Sequence, residues 1–351
     1  MNYYCTLFDV NYLLRGYTMA KSLLEKDPNG FLYIFAFDDE CYDNLRKISI
    51  SNTKVISLKE FENDKLLSVK SSRSAGEYCW TCTPWTIKYC IEKFEIDHCT
   101  YVDADLFFFS NPQPILDEVS SSSVLLTEHR YSERYDQTKT SGRFCVQFLM
   151  IRNNSEGMVA LNWWADRCIE WCYARTEDGK FGDQMYLDDW ETRFSGVHVL
   201  KHLGGGVAPW NFEKYLVTFS DGSSFVLKEI ASDHSFMLIF YHFHEVKLRE
   251  AKIKLLTNYY FSKENFAVHR FYYKELESNF QFFRGLNLKS EGYSDLTLNL
   301  LENIYEERDE LSKLYRAGKS RLLRFWFLSL TGGIIFTVLL LFIEYLILAK
   351  I

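Results

Sequence analysis

Proline is scarce in this sequence, five in 351 residues, so little interrupts regular elements along most of its length. Basic charge is also short. The net charge of −7 argues against an electrostatic nucleic-acid binder, which is expected to carry a basic face. Cysteine is present without a framework: nine residues (5, 41, 79, 82, 90, 99, 145, 168 and 172) form an odd set, and no signal-peptide pattern precedes them. Reduced thiols in a cytosolic compartment are therefore expected. Cys79-Trp80-Thr81-Cys82 has the spacing of a redox or zinc half-site, but no second Cys or His pair stands at zinc-site spacing. Structural or pocket-lining cysteines are the expectation there. Internal repeats and low-complexity segments are missing too.

What is present is apolar bulk. With 47% hydrophobic and 17% aromatic residues, the chain can bury one large core or two smaller ones, which excludes disorder. One apolar run stands out, the 25 residues Phe325 to Ala349 with Glu344 as their single charge. As a helix it would span roughly 37 Å against a hydrocarbon core of about 30 Å, so a single-pass transmembrane anchor is expected. Arg316, Lys319, Arg321 and Arg324 precede it and Lys350 alone follows, which places the main domain on the cytoplasmic side. Gly332-Gly333 and Glu344 also suit a packing helix, the competing reading.

Strand and helix signals alternate through the first half. Tyr3 to Phe8 and Phe31 to Phe37 read as strands ending at acidic residues, Tyr12 to Leu24 has helical periodicity, and Val55 to Leu58 is a third strand. A helix from about Thr83 to Phe94 leads to the strand Cys99 to Val102. This order predicts an α/β fold with a mostly parallel central sheet and flanking helices. Further strands are expected at Val124 to Thr127, Cys145 to Ile151 and Met237 to His244, with Ser155 capping a helix to about Tyr173. Tyr131 to Gly142 reads as a polar loop able to cover a site. Residues 250 to 290 read as aromatic and helical, and 296 to 316 as an amphipathic charged helix. The expected division is a catalytic domain over 1–250, a helical extension with a basic membrane-proximal helix over 251–324, and the anchor over 325–349.

Asp103-Ala104-Asp105 leaves the end of an apolar strand, where ligands of open α/β sheets gather. Two hard oxygen ligands one residue apart suit Mg2+ or Mn2+, whereas an isolated Asp-x-Asp also suits a solvated turn. Asp9, Asn11 and Tyr12 follow the first strand, where a ring, an amide and a carboxylate can hold a base and ribose, or cap a helix. Arg73 is the residue type that clamps a diphosphate, and equally a common surface residue. Asp183-Gln184 can bind sugar hydroxyls or face a cationic sugar carbon, or form a helix cap. His242 and His244 alternate on one strand face, so one or both can reach a metal.

In this order the motifs resemble GT-A-type nucleotide-diphospho-sugar glycosyltransferases, most like the family-eight galactosyltransferase and glycogenin-like group found in bacterial envelope biosynthesis, over roughly residues 1 to 250. The resemblance implies a GT-A, Rossmann-like fold. It implies Mn2+ or Mg2+ on Asp103, Asp105 and His242, with His244 the competing ligand. Donor contacts from Asp9, Asn11, Tyr12, Arg73 and the Asp103-Ala104-Asp105 segment also follow, with Asp183 and Gln184 as catalytic residues beside the donor sugar. A nucleoside-diphosphate sugar, UDP-linked, would be the donor, a saccharide or glycolipid the acceptor, and the anomeric configuration would be retained. An inverting enzyme would need a carboxylate base such as Asp183 or Asp188. The chain departs from the family at Cys145-Val146-Gln147, where Asn-x-Gly is usual, and at His242-Phe243-His244-Glu245, where His-Phe-x-Gly is usual. Pro209-Trp210-Asn211 is then a candidate aromatic platform from a different loop. Two other classes share these residues: a metal-dependent nucleotidyltransferase, and a catalytically silent membrane-tethered scaffold.

Overall fold

A computed structural model of the chain describes residues 1–244, the backbone of 246–249 and 252–255, Tyr259, Ser262 and residues 264–288. The chain divides into two units, Met1–Leu298 and Asn299–Ile351. The second unit, the expected anchor at 325–349 and the expected amphipathic helix at 296–316 lie outside the described residues. Among the described residues no helix is long and apolar enough to cross a membrane.

A seven-stranded sheet organises the first unit. Its strands are β1 (Tyr3–Phe8), β2 (Phe31–Ala36), β3 (Thr53–Ser57), β4 (His98–Val102), β6 (Val124–Glu128), β7 (Phe144–Arg152) and β8 (Val197–Val199), in the order β3-β2-β1-β4-β7-β6-β8. Pairing is parallel except at β7, which runs antiparallel to both neighbours. β7 is buried along all but its last residue, as a continuous apolar run in a central strand requires.

Three boundaries differ from the sequence expectation. The helix expected from Thr83 runs from Ala75 to Phe94, because Ser74 and Glu77 form a reciprocal capping box that starts it two turns before Pro84. Asn154, not Ser155, caps the helix Ser155–Glu170 by accepting from the Gly157 amide at 2.9 Å. The strand expected from Met237 to His244 is two strands. β11 (Ser235–Met237) joins β9 (Tyr215–Ser220) and β10 (Phe225–Glu229) in a small antiparallel sheet, while β12 (Phe240–His242) pairs with β5 (Leu106–Phe108).

The helix Phe266–Gly285 lies against the helix Leu13–Lys26, where Asn279 donates to the Thr18 hydroxyl at 2.9 Å and Tyr17 stacks on Phe282. The first unit thus extends beyond residue 250, the boundary the sequence suggested. All nine cysteines are free.

Candidate active site

β1 and β4 are adjacent and parallel, so the residues that follow them emerge at the same sheet edge. Asp9 follows one and Asp103 the other. The Asp103 amide donates to the Gln147 carbonyl at 3.0 Å, and the chain then turns into β5. β12 returns antiparallel beside β5 with His242 opposite Leu106. That register delivers the imidazole to the two carboxylates: His242 Nε2 lies 3.1 Å from Asp105 and 3.8 Å from Asp103. The other ring nitrogen, Nδ1, is 3.0 Å from Gln147 Oε1, so with its proton donated there Nε2 is left as a ligand atom. Trp210 packs edge-on against both His242 and His244.

Asp103, Asp105, His242 and Trp210 line a cavity of about 560 Å³, together with Asp9, Tyr12, Ala104, Asp183, Gln184 and His244, a volume suited to a small organic ligand. Tyr131, Gln137 and Ser141, from the expected covering loop, also stand in its wall. Tyr12 is 38% exposed and offers its ring to the cavity. Asp9 accepts from the Tyr12 amide and from the Asn11 side chain, and Asn11 itself lies outside the wall. Asp183 is aimed inward by Gly182, whose φ of +53° belongs to the left-handed region and whose added Cβ would meet Trp80 at 3.3 Å. Gln184 donates to the Ser141 carbonyl and caps nothing with its side chain.

Arg73 is not part of the cavity wall. Its guanidinium lies 3.9 Å from the Tyr173 ring and donates to the Ile169 carbonyl at 3.2 Å. Among the described residues of the wall there is no Lys or Arg. A cation that the motifs did not point to lies beside the site: Arg15, 6% exposed, lies over the Tyr12 ring at 4.2 Å, and its charge acts on Asp105. Its Nε has no hydrogen-bond partner. The i,i+3 spacing from Tyr12 on a helical stretch was the available signal. Gln147 was missed as a positioning residue; period-two alternation on β7 places it on the same face as Cys145. Asp188, the alternative base, accepts from the Arg143 amide at 2.8 Å and is not in the wall.

Burial opposes charge throughout, and partners decide the outcome. For Asp105, burial is outweighed by His242, His244 and Arg15, which hold its carboxyl well below the usual range. For His242, burial is outweighed by Asp105, Cys145 and Asp103, which hold it well above. Burial, with the Asp105 charge, pushes Asp103 up to about 6. Burial and Asp103 push Asp183 up to about 7.

The donor set fits a divalent cation. Ligand atoms of Asp105, His242 and His244 all lie within 4.8 Å of one another, as do those of Asp103, Cys145 and His242. Carboxylate oxygens and imidazole nitrogens at this spacing can share an ion with bonds of about 2.1 Å. Both histidines are therefore within reach: His242 is buried and oriented by Gln147, and His244 is exposed at the rim.

No protein-family model matches the chain. It is 33% identical over 277 residues to the uncharacterized protein YfnD of Bacillus subtilis (strain 168), covering 77% of this chain and 86% of that one. To YfnF of the same organism it is 30% identical over 248 residues, covering 68% and 80%. By structure it is similar to the galactosyltransferase LgtC, at 14% identity and TM-score 0.49 over 81% of this chain and 99% of that one. The glycosyltransferase GlyE of Streptococcus pneumoniae TIGR4 is similar at 13% identity and TM-score 0.47, over 84% and 66%. With a third of its residues identical to YfnD over most of both chains, the protein belongs to the family of YfnD and YfnF.

Proposed function

We propose that the protein is a divalent-cation-dependent glycosyltransferase, moving a sugar from a UDP-linked nucleoside-diphosphate donor to a saccharide or lipid-linked acceptor at the cytoplasmic membrane face. One observation carries this reading: Asp103, Asp105 and His242 converge within 3.8 Å in the cavity that also holds Tyr12 and Asp183. Asp103, Asp105 and His242, with His244 at the rim, would hold Mn2+ or Mg2+. When bound, that ion neutralises charge on a diphosphate leaving group. In the transfer the bond from the sugar C1 to the diphosphate oxygen breaks and a bond from C1 to the acceptor oxygen forms. The acceptor hydroxyl proton passes to the departing phosphate oxygen, with retained configuration.

Each residue has a task. Tyr12 supplies a face for the base, with Arg15 fixing its ring from behind. In the metal-free site the His242 imidazolium and Arg15 keep Asp105 ionised, so its oxygens stay available as ligands. Asp183, buried beside the sugar position, opposes the positive charge that develops at C1 when ionised. The apolar run at 325–349 and the basic residues before it support an acceptor held in a membrane.

The test uses the full chain with a panel of nucleotide sugars and Mn2+, reading nucleoside-diphosphate release. Release with a preferred donor is expected, lost in EDTA and reduced about 10²–10³-fold in Asp105→Asn at unchanged circular dichroism. Full turnover by that variant in EDTA would sink the cation role. Pyrophosphate release from a nucleoside triphosphate would assign a nucleotidyltransferase instead, and the absence of turnover with every donor would assign a scaffold.

A further inference from the structure

The cation-binding corner has a second, softer side. Two donor triads overlap at His242: one is Asp105, His242 and His244, and the other is Asp103, Cys145 and His242, with ligand atoms in each within 4.8 Å of one another. We propose that Cys145 is a sulfur donor to this ion site, so that the site takes a zinc-class ion through Asp103, Cys145 and His242 as well as Mn2+ or Mg2+ through its harder donors. The proposal rests on the cation reading of the previous section.

Four observations build it. Cys145 is 4% exposed and stands in the cavity wall, so its thiol faces the site from a rigid central strand. A ring nitrogen of His242 lies within 4.8 Å of the Cys145 sulfur, and its Nε2 is 3.1 Å from Asp105, which makes the imidazole the shared corner of both triads. Gln147, two residues along the same strand face, is fully buried and fixes Nδ1 of that imidazole at 3.0 Å, the support a metal-ligating histidine ordinarily has. Behind the thiol, Trp210 and Ala208 form an apolar backing with Cys145, and a dry wall strengthens a metal–sulfur bond.

The chemistry separates two classes of ion. Thiolate is a soft ligand that Zn2+ and Co2+ accept and Mg2+ does not. Binding through sulfur deprotonates the thiol and releases the proton to solvent, with no change of oxidation state. An ion drawn towards Cys145 takes a protein donor where a diphosphate oxygen would otherwise bind. Zn2+ is therefore expected to compete with Mn2+ at this site and to oppose donor binding.

Co2+ is the probe. Titrated into the purified full chain, it should give visible ligand-field bands together with a near-ultraviolet sulfur-to-cobalt charge-transfer band. Cys145→Ser should lose the charge-transfer band and keep the ligand-field bands, whereas Cys79→Ser, changing the other cavity cysteine, should keep both. In calorimetry, Cys145→Ser should weaken Zn2+ about tenfold or more and leave Mn2+ within about twofold. Cobalt bound by the wild-type protein without a charge-transfer band overturns the proposal while leaving the cation site standing, and so does a band that survives Cys145→Ser. Failure of the wild-type protein to bind Co2+, Zn2+ or Mn2+ removes the cation site itself.

Discussion

Two carboxylates facing one cavity, Asp105 and Asp183, are held in opposite ways. On the Asp103–Asp105 side, Asp105 is surrounded by His242, His244 and Arg15 and stays ionised despite burial. On the Asp183 side, a carboxyl 5% exposed is buried near another acid and is pushed up to about 7. The difference shows how position divides labour between identical side chains: a compensated carboxylate is a standing ion ligand, and an uncompensated one changes protonation near neutral pH.

The largest test of that contrast is Asp183→Asn. Folded Asp183 keeps its proton up to about pH 7, whereas an unfolded Asp releases it near pH 4. Between those values the folded state binds the extra proton, so the wild-type protein loses stability as pH rises through this window relative to a neutral Asn. In metal-free urea denaturation the variant should gain on the wild type from pH 4 to pH 8 by up to about 4 kcal/mol. A difference independent of pH would mean that the two carboxylates are electrostatically alike.

Gln147→Leu tests the compensated side. Removing the acceptor for His242 Nδ1 should lower Mn2+ affinity about 10–100-fold by calorimetry, at unchanged circular dichroism. Affinity equal to wild type would show that the carboxylates alone organise the corner.

The smallest expected effect is at Arg73→Ala. Because this half-buried guanidinium lies against Tyr173 outside the cavity, the donor KM should stay within about twofold. A large rise in KM would bring Arg73 back to the diphosphate and give the site a second cation besides Arg15.

Much of the frame was legible in the chain. The alternation of strands and helices predicted the α/β class, and β1, β2, β4, β6 and β7 stand close to where their apolar runs begin and end. Strands in a sheet buried on both faces show themselves as short apolar runs. The site was legible in part: Asp9, Tyr12, Asp103, Asp105, Asp183, Gln184 and His242 all reach one cavity, while Asn11 and Arg73 do not. Asn11 is held by Asp9 beside the turn. Arg73 lies against Tyr173 instead, and residue type and order say nothing about where a long side chain at a helix start is placed. Arg15, Gln147 and Cys145 carried weak signals because their importance comes from neighbours distant in sequence.

The sequence by itself determined the local patterns: an acidic pair at the end of an apolar strand, two histidines on one strand face, and an apolar run long enough to span a bilayer. Each depends only on periods of two or 3.6 residues within a short window. Tertiary structure alone decided that β12 leaves the expected single strand to pair with β5, and so that His242 meets Asp105 at 3.1 Å. It also decided which carboxylate is compensated and which is not. Register between strands more than a hundred residues apart, and the field felt by a buried charge, are set by the packed chain as a whole.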